Sequence, residues 1–453
     1  MPKKKTALTI EERLQQALVP AEEQPYEVPE NWVWVRLGAI AEIVTGGTPS
    51  KKHPEYYGGN FPFYKPSDLD QGRLTYDASE YLSEEGKNVS RIIPKNSTAV
   101  CCIGSISKCG YLMCEGTTNQ QINSAIPKIN SLCLYYYLCT ENFVQDLLSM
   151  ASATTIAIVN KSKMESCAFP LPPLSEQQRI VERIEELLAK LDEAKERLQE
   201  VADSFAVRKA AILHNAFTGE LTKQWRWENG VSDESWEEKK GEDFFEYVTS
   251  GSRGWAKYYS DKGSIFIRMG NLNHGTIELD FSDIQYVELP DQVEGQRSKL
   301  QKNDILISIT ADVGMIALVR EDMDAYINQH VALARPKNDL YAEFLAWYFV
   351  SDDGLQQMQN KQRGATKIGL GLQDIRSIIL KIPTLPEQHE IVRLIDDLLA
   401  RERAAQQAAE QALASIDLMK KSILARAFRG ELGTNKASEA SALELLKQVL
   451  AEN

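Results

Sequence analysis

The sequence predicts an α/β protein written twice: two globular blocks related by a pseudo-two-fold, separated by two long helices that form an antiparallel coiled coil. Three observations predict it. "PPLSEQQRIVERIEELLAKLDEAKERLQ" from Pro172 returns as "PTLPEQHEIVRLIDDLLARERAAQQAAE" from Pro383, at an offset of 211 with no gap. The match persists to "AFTGELT" from Ala216 and "AFRGELG" from Ala427. The stretches in between have diverged but keep a common order of short motifs. A register held from Pro172 to Thr222 without insertion marks a rigid element, because loops accept length changes that packed helices refuse.

The chain is taken in order as an N-terminal helical extension (1–30), a first globular block (31–170), a first repeat helix (171–222), a second block (223–380), a second repeat helix (381–434) and a helical tail (435–453). A length of 453 residues suits two to four domains, and 25% charged with 43% hydrophobic residues is an ordinary globular composition. The start, "MPKKKTALTIEERLQQALVP", has basic residues but no apolar core, so no secretory leader is expected. No run is long and apolar enough for a membrane span. Thr9–Pro20 and Ser441–Asn453 are short amphipathic helices, too small to be stable alone. They are expected to pack on each other or on a partner, or to fray.

The repeats read as helices. In the first, apolar residues recur at Ile180, Ile184, Leu187, Leu191, Ala194, Leu198, Val201 and Phe205, in steps alternating between four and three. The second carries Ile391, Ile395, Leu398, Ala405, Ala409, Ala412, Ile416, Met419 and Ile423 in the same register, with a small-residue middle that lets a partner helix approach. Ser175 is a suitable N-cap after the prolines, and Gly219 and Gly430 stand just past the helix ends. From Ser175 to Phe217 a continuous helix would run roughly 60 Å. A heptad seam is most often a bundle core; its duplication makes the chain two copies of block plus helix.

The blocks align faintly. "NWVWVRLGAIAEIVTGGTPSK" from Asn31 resembles "SWEEKKGEDFFEYVTSGSRGWAK" from Ser235; "FPFYKPSDL" from Phe61 falls on "SIFIRMGNL" from Ser264; "NQQI" from Asn119 falls on "NQHV" from Asn328; "SATTIAIVN" from Ser152 falls on "GATKIGLGL". Each block mixes β-branched runs, "STAVCCIGSI" or "DILISIT", with helical stretches, which makes each an α/β domain with Gly/Ser/Thr-rich turns.

The seven cysteines, from Cys101 to Cys167, are odd in number and point to free thiols in a reducing cytoplasm. No His, Cys or carboxylate spacing suits a metal, and Cys101, Cys102, Cys109 and Cys114 contain no C-x-x-C pair. No phosphate loop, dinucleotide fingerprint or nucleophile elbow occurs. The net charge is −13, with 12 Lys/Arg against 12 Asp/Glu over 31–168 and 18 against 25 over 223–380. A nucleic-acid contact would therefore need a local patch, or partners that supply the cationic surface. A duplicated scaffold with no catalytic constellation has the character of a recognition device.

The twice-repeated P-x-L-x-E-Q opening and G-E-L ending, the "KQWRWEN" after the first helix and the NQ motif in each block resemble the specificity subunit of type I restriction–modification systems. The resemblance covers essentially the whole chain. It implies two target recognition domains, each reading one half of a split double-stranded DNA target, and helices that set the gap. It implies a non-catalytic, cytoplasmic prokaryotic chain with no cofactor of its own. Two modification (methyltransferase) subunits would carry S-adenosylmethionine, and restriction (endonuclease/translocase) subunits would use ATP and Mg²⁺. The competing readings are a coiled-coil adaptor that does not read DNA and an enzyme carrying its own recognition module; the missing catalytic motifs oppose the latter.

Base readers should be polar residues on loops, with Arg or Lys for guanine and Asn or Gln for adenine. The candidates in the first block are Thr48, Ser50, Lys51, Lys52, Lys65, Ser67, Ser107, Lys108, Asn119, Gln120, Thr154 and Thr155. In the second they are Ser250, Ser252, Arg253, Arg268, Asn271, Thr310, Asn328, Gln329, Thr366 and Lys367. The NQ pairs recur in both blocks, which also fits a structural or backbone-contacting role. Lys51 and Arg253 fit phosphate contacts equally well, and Tyr56, Tyr57, Trp255, Tyr258 and Tyr259 suit a core as well as a stack on DNA.

Overall fold

The structure is a computed structural model of the chain, and it describes residues 9–106, 108–151, 157–290, 296–363 and 369–452. It divides into two compact units, Met1–Leu198 with Gln411–Asn453 and Gln199–Glu410. Each repeat helix therefore begins in one unit and ends in the other.

The first repeat forms Leu174–Asp203 and, after a break at Ser204, Phe205–Phe217; the second is continuous over Leu385–Ala427. The first helix begins at Leu174, so Ser175 lies within it rather than at its cap. Gly219 and Gly430, just beyond the two helix ends, hold positive φ angles of 83° and 76°, which a side chain would resist.

Within the first unit the helix segments run antiparallel. Phe428, at the end of the second helix, meets Phe169 just before the first begins, and Lys420 Nζ pairs with Asp192 at 2.5 Å further along. The second unit repeats the pattern: Arg208 Nε meets Glu402 at 2.6 Å, and Phe217 lies on Phe344 and Tyr348. Of the expected seam, Ile180, Ile184, Ile391, Ile395 and Ile416 are buried, while Leu187, Leu191, Leu198, Phe205, Leu398 and Ile423 are half-buried. Met419, Val201 and Ala405 depart from that reading: all three are exposed, Met419 to 48% and Val201 to 41%. An α-helix drifts off a strict heptad, and Lys420 takes the facing position instead of Met419.

The two blocks share one topology. Each holds a four-stranded antiparallel sheet in the order first, fourth, second, third strand. In the first block these are Ala41–Thr45, Ile122–Pro127, Thr98–Cys101 and Cys109–Tyr111. In the second they are Phe245–Ser250, Val331–Pro336, Ile305–Ser308 and Ile316–Leu318. A further sheet contains a parallel pair, Tyr57–Tyr64 with Thr117–Thr118 in the first block and Ser264–Ile267 with Ala325–Ile327 in the second. A two-stranded ribbon closes each block onto its helix, Val33–Arg36 with Ala168–Leu171 and Glu237–Lys240 with Ile379–Ile382. Thr98–Cys101 and Ile305–Ser308 are buried along their whole length, which is why these runs lack polar alternation.

The helix starts are part of the block cores. Ile180, Val181 and Ile184 pack with Leu37, Tyr137 and Phe428, and Ile391, Val392 and Ile395 pack with Phe217, Phe344 and Ile382. The terminal helices Ile10–Ala17 and Ala442–Ala451 pack on each other. All seven cysteines are free.

Candidate nucleic-acid interface

The repeated Glu-Gln pair seats each helix on its block. Glu176 is fully buried and accepts hydrogen bonds from Trp32 Nε1 at 2.7 Å, Asn435 Nδ2 at 2.8 Å and Thr434 Oγ1 at 3.2 Å. Glu387, equally buried, accepts from Trp236 Nε1 at 3.2 Å, Thr222 Oγ1 at 2.7 Å and Arg226 Nη1 at 2.7 Å. A Thr just after each "GEL", Thr222 directly and Thr434 one residue later, thus reaches the Glu that opens the other repeat. Gln177 accepts from Asn130 N and donates to Pro172 O; Gln388 accepts from Tyr341 N and donates to Pro383 O. A buried carboxylate requires such donors; both copies use a Trp from the block entry and a Thr from beyond the helix end, while the third donor is Asn435 in one and Arg226 in the other. The repeated motif is therefore a structural clamp.

The candidate readers converge at one end of each block. In the first, Gly47 N bonds Thr118 O, Asn119 N bonds Tyr64 O, Cys102 N bonds Gln121 O and Gly104 N bonds Ala157 O. The glycine-rich loop, the segment after Tyr64, the hairpin tip and the NQ turn are thereby tied together. The second block repeats these ties: Ser252 bridges Asn328, Asn328 N bonds Ile267 O, Ile309 N bonds His330 O and Thr310 bridges Gly369. Gly46 and Gly251 permit the approach. A Cβ at Gly46 would lie 2.2 Å from Asn119 O, and one at Gly251 would lie 1.9 Å from Ile327 O.

The individual candidates differ in what they have left to offer. Asn119 and Asn328 close the turn on themselves, Oδ1 accepting from Gln121 N and His330 N at 3.0 Å each. Asn271 is 3% exposed; its Oδ1 accepts from Arg268 N and its Nδ2 donates to Asp280 O and Asp283 O. The fold uses up that amide, which leaves nothing for a base edge. Thr48 Oγ1 meets Gln120 Oε1, Ser50 Oγ accepts from Lys52 N, and Gln329 Nε2 lies 2.9 Å from His330 Nε2. Ser67 is exposed, and Ser250 and Thr310 are half-buried.

The basic candidates fall into two groups. Lys51, Lys52 and Arg253 are exposed and have no ion pair among the described residues. The others are held by carboxylates: Lys65 by Glu80 at 2.8 Å, Lys108 by Asp70 at 2.7 Å and Arg268 by Asp283 at 2.7 Å. Trp255 is buried among Phe266 and Tyr326, so it serves the core, whereas Tyr259 is 44% exposed. Ser107, Thr154, Thr155, Thr366 and Lys367 lie outside the described residues.

Sequence reasoning passed over Glu80, Asp283 and Arg91, whose Nη1 donates to Thr45 O at 2.5 Å beside the glycine loop. The signal for the two carboxylates was present: each stands fifteen positions after its basic partner. Among the described residues no group of three or more His, Cys, Asp or Glu could hold a metal, and no helix is long and apolar enough to cross a membrane.

Comparison with known proteins agrees with this architecture. A family model described as type I restriction modification DNA specificity domain matches residues 29–203 and 233–412. The chain is 28% identical to the type I restriction enzyme EcoBI specificity subunit of Escherichia coli, over 94% of this chain and 93% of that one. It is 25% identical to the EcoKI specificity subunit of Escherichia coli strain K12, over 94% and 96%. Among solved structures, the HsdS subunit from Thermoanaerobacter tengcongensis superposes with a TM-score of 0.66 at 19% identity, over 90% of this chain and 99% of that one. A chain from a study of complex assembly and conformational transition of the type I R-M system gives 0.63 at 19% identity, over 90% and 100%.

Proposed function

The chain belongs to the type I restriction–modification DNA specificity family, and from that premise we propose that its two blocks each read one half of a bipartite double-stranded DNA target. A specificity subunit is the non-catalytic member of its system. Modification subunits bind this chain and carry S-adenosylmethionine; restriction subunits join them and use ATP and Mg²⁺. The assembly works in the prokaryotic cytoplasm.

One observation carries the two-reader reading. The same four chain segments converge at the same end of the same topology twice, while the side chains there differ. Lys51 and Lys52 stand in one glycine loop and Arg253 in the other. A structural edge would keep its residues, whereas an edge that reads two different half-sites changes them. The clamps at Glu176 and Glu387 hold what must stay constant, the seating of each helix. The helices then act as a ruler, because one inserted residue rotates the downstream part of the helix by about 100°. Half-sites on one face of B-DNA lie about 34–36 Å apart.

The test is the position of methylated adenines in DNA modified by the complete methyltransferase complex, read by single-molecule sequencing. The reading expects two fixed half-sites around a gap of constant length and indifferent sequence. A single continuous site, or methylation without sequence preference, would reject it.

A further inference from the structure

Among the residues at the two converging ends, one arrangement recurs in detail although its chemistry has changed. Lys65 and Arg268 each leave the first strand of the parallel pair, immediately after Tyr64 and Ile267. Each has its backbone N–H capped by the side chain three residues on, Lys65 N by Asp68 Oδ2 at 2.7 Å and Arg268 N by Asn271 Oδ1 at 2.8 Å. Each cationic head is held by a carboxylate fifteen residues on, Glu80 at 2.8 Å and Asp283 at 2.7 Å. The Asp283 side chain is 84% exposed, and an ion pair with a partner so open to water contributes little to stability. The first pair is half-buried, but stability gives little reason to keep a carboxylate as exposed as Asp283 opposite Arg268 while Lys–Glu is exchanged for Arg–Asp.

We propose that Arg268 reads a guanine in the half-site of the second block, and that Asp283 is its positioning residue; Lys65 with Glu80 is the equivalent pair in the first block. The inference rests on the two-reader function above and names the chemistry of one base contact. A carboxylate beside the guanidinium cancels the charge that a phosphate contact exploits. It leaves directional N–H groups and fixes the plane in which they point. Guanine offers two acceptors, O6 and N7, to such a planar donor pair. Asp283 engages one Nη2 N–H, and the other Nη hydrogens suffice for two bonds. Lys51, Lys52 and Arg253 have no carboxylate partner among the described residues and retain the full charge that phosphates attract.

The experiment uses the complete methyltransferase complex and a DNA library randomised at every position of both half-sites, with methylated molecules sequenced. The wild-type complex must first give a bipartite target, and a failure there rejects the two-reader function rather than this pair. Asp283→Asn is expected to lower discrimination at one guanine of the second block's half-site by about tenfold or more, with the other half-site unchanged. Asp283→Glu should restore much of that preference, and Arg268→Ala should remove it at the same base pair. Faithful reading by the first block reports, in the same sample, that each variant chain is folded. A uniform loss of methylation across all sequences would make Arg268 a phosphate contact and overturn the proposal. An unchanged preference in both Asp283→Asn and Arg268→Ala would overturn it equally.

Discussion

Trp32 donates its indole N–H to the buried carboxylate of Glu176 at 2.7 Å, joining the entry of the first block to the start of the helix at its far end. Trp236 and Glu387 repeat the bond in the second unit. The two clamps differ in the charge of their donors. The donors to Glu176 are neutral, from Trp32, Thr434 and Asn435, whereas Glu387 also pairs with Arg226, whose side chain is 8% exposed.

That difference predicts unequal costs. Glu387→Ala takes the buried carboxylate from the Arg226 guanidinium, which then keeps as its ion-pair partner only the exposed Asp233 at 2.9 Å, and should destabilise the chain by about 2–4 kcal/mol. Glu176→Ala strands neutral donors and should cost about 1–3 kcal/mol. Denaturant unfolding of the single variants measures both, and a larger loss from Glu176→Ala would contradict the assignment.

The unlatched basic residues should act through charge. Lys51→Ala, Lys52→Ala and Arg253→Ala are each expected to weaken DNA binding evenly across sequences. Removing one phosphate partner should make the slope of log K against log salt shallower by about 0.9. Binding titrations at several salt concentrations, with cognate and scrambled duplexes, provide the check.

The glycine approaches should tolerate no side chain. Gly46→Ala and Gly251→Ala drive a methyl into backbone oxygens of the NQ segment, at an expected cost of about 1–3 kcal/mol. Each variant should blur only the half-site of its own block, as read by methylation sequencing.

Burial pushes the Cys102 thiol up to about 12 and raises Cys133 as well, so neither is a thiolate at neutral pH. Iodoacetamide at a pH of about 7.5, below the ordinary thiol range, should label both far more slowly in the folded chain than in urea, as followed by peptide mass spectrometry.

The helices and the duplication were legible in the sequence because a rigid element preserves its register; Ile180, Ile184, Ile391 and Ile395 could be placed on a buried face by spacing alone. The break at Ser204 and the displacement of Met419 by Lys420 were not legible, since helical drift accumulates through packing. The α/β content of the blocks was readable, but their common strand order was not, because it depends on pairings between distant strands. Among the candidate readers, the loops were found by their Gly, Ser and Asn content. What each side chain had already committed elsewhere was hidden. Asn271 and Arg268 look alike as polar loop residues, yet the first is spent on Asp280 and Asp283 carbonyls while the second is held with N–H groups to spare.

Two interchangeable readers joined by a constant frame should exchange as cassettes. The most direct measurement replaces residues 31–168 with the corresponding block of another family member and maps methylated adenines in DNA modified by the reconstituted complex. One half-site is expected to change to that of the donor while the other half-site and the gap remain as they were. A change in both half-sites, or in neither, would contradict that expectation.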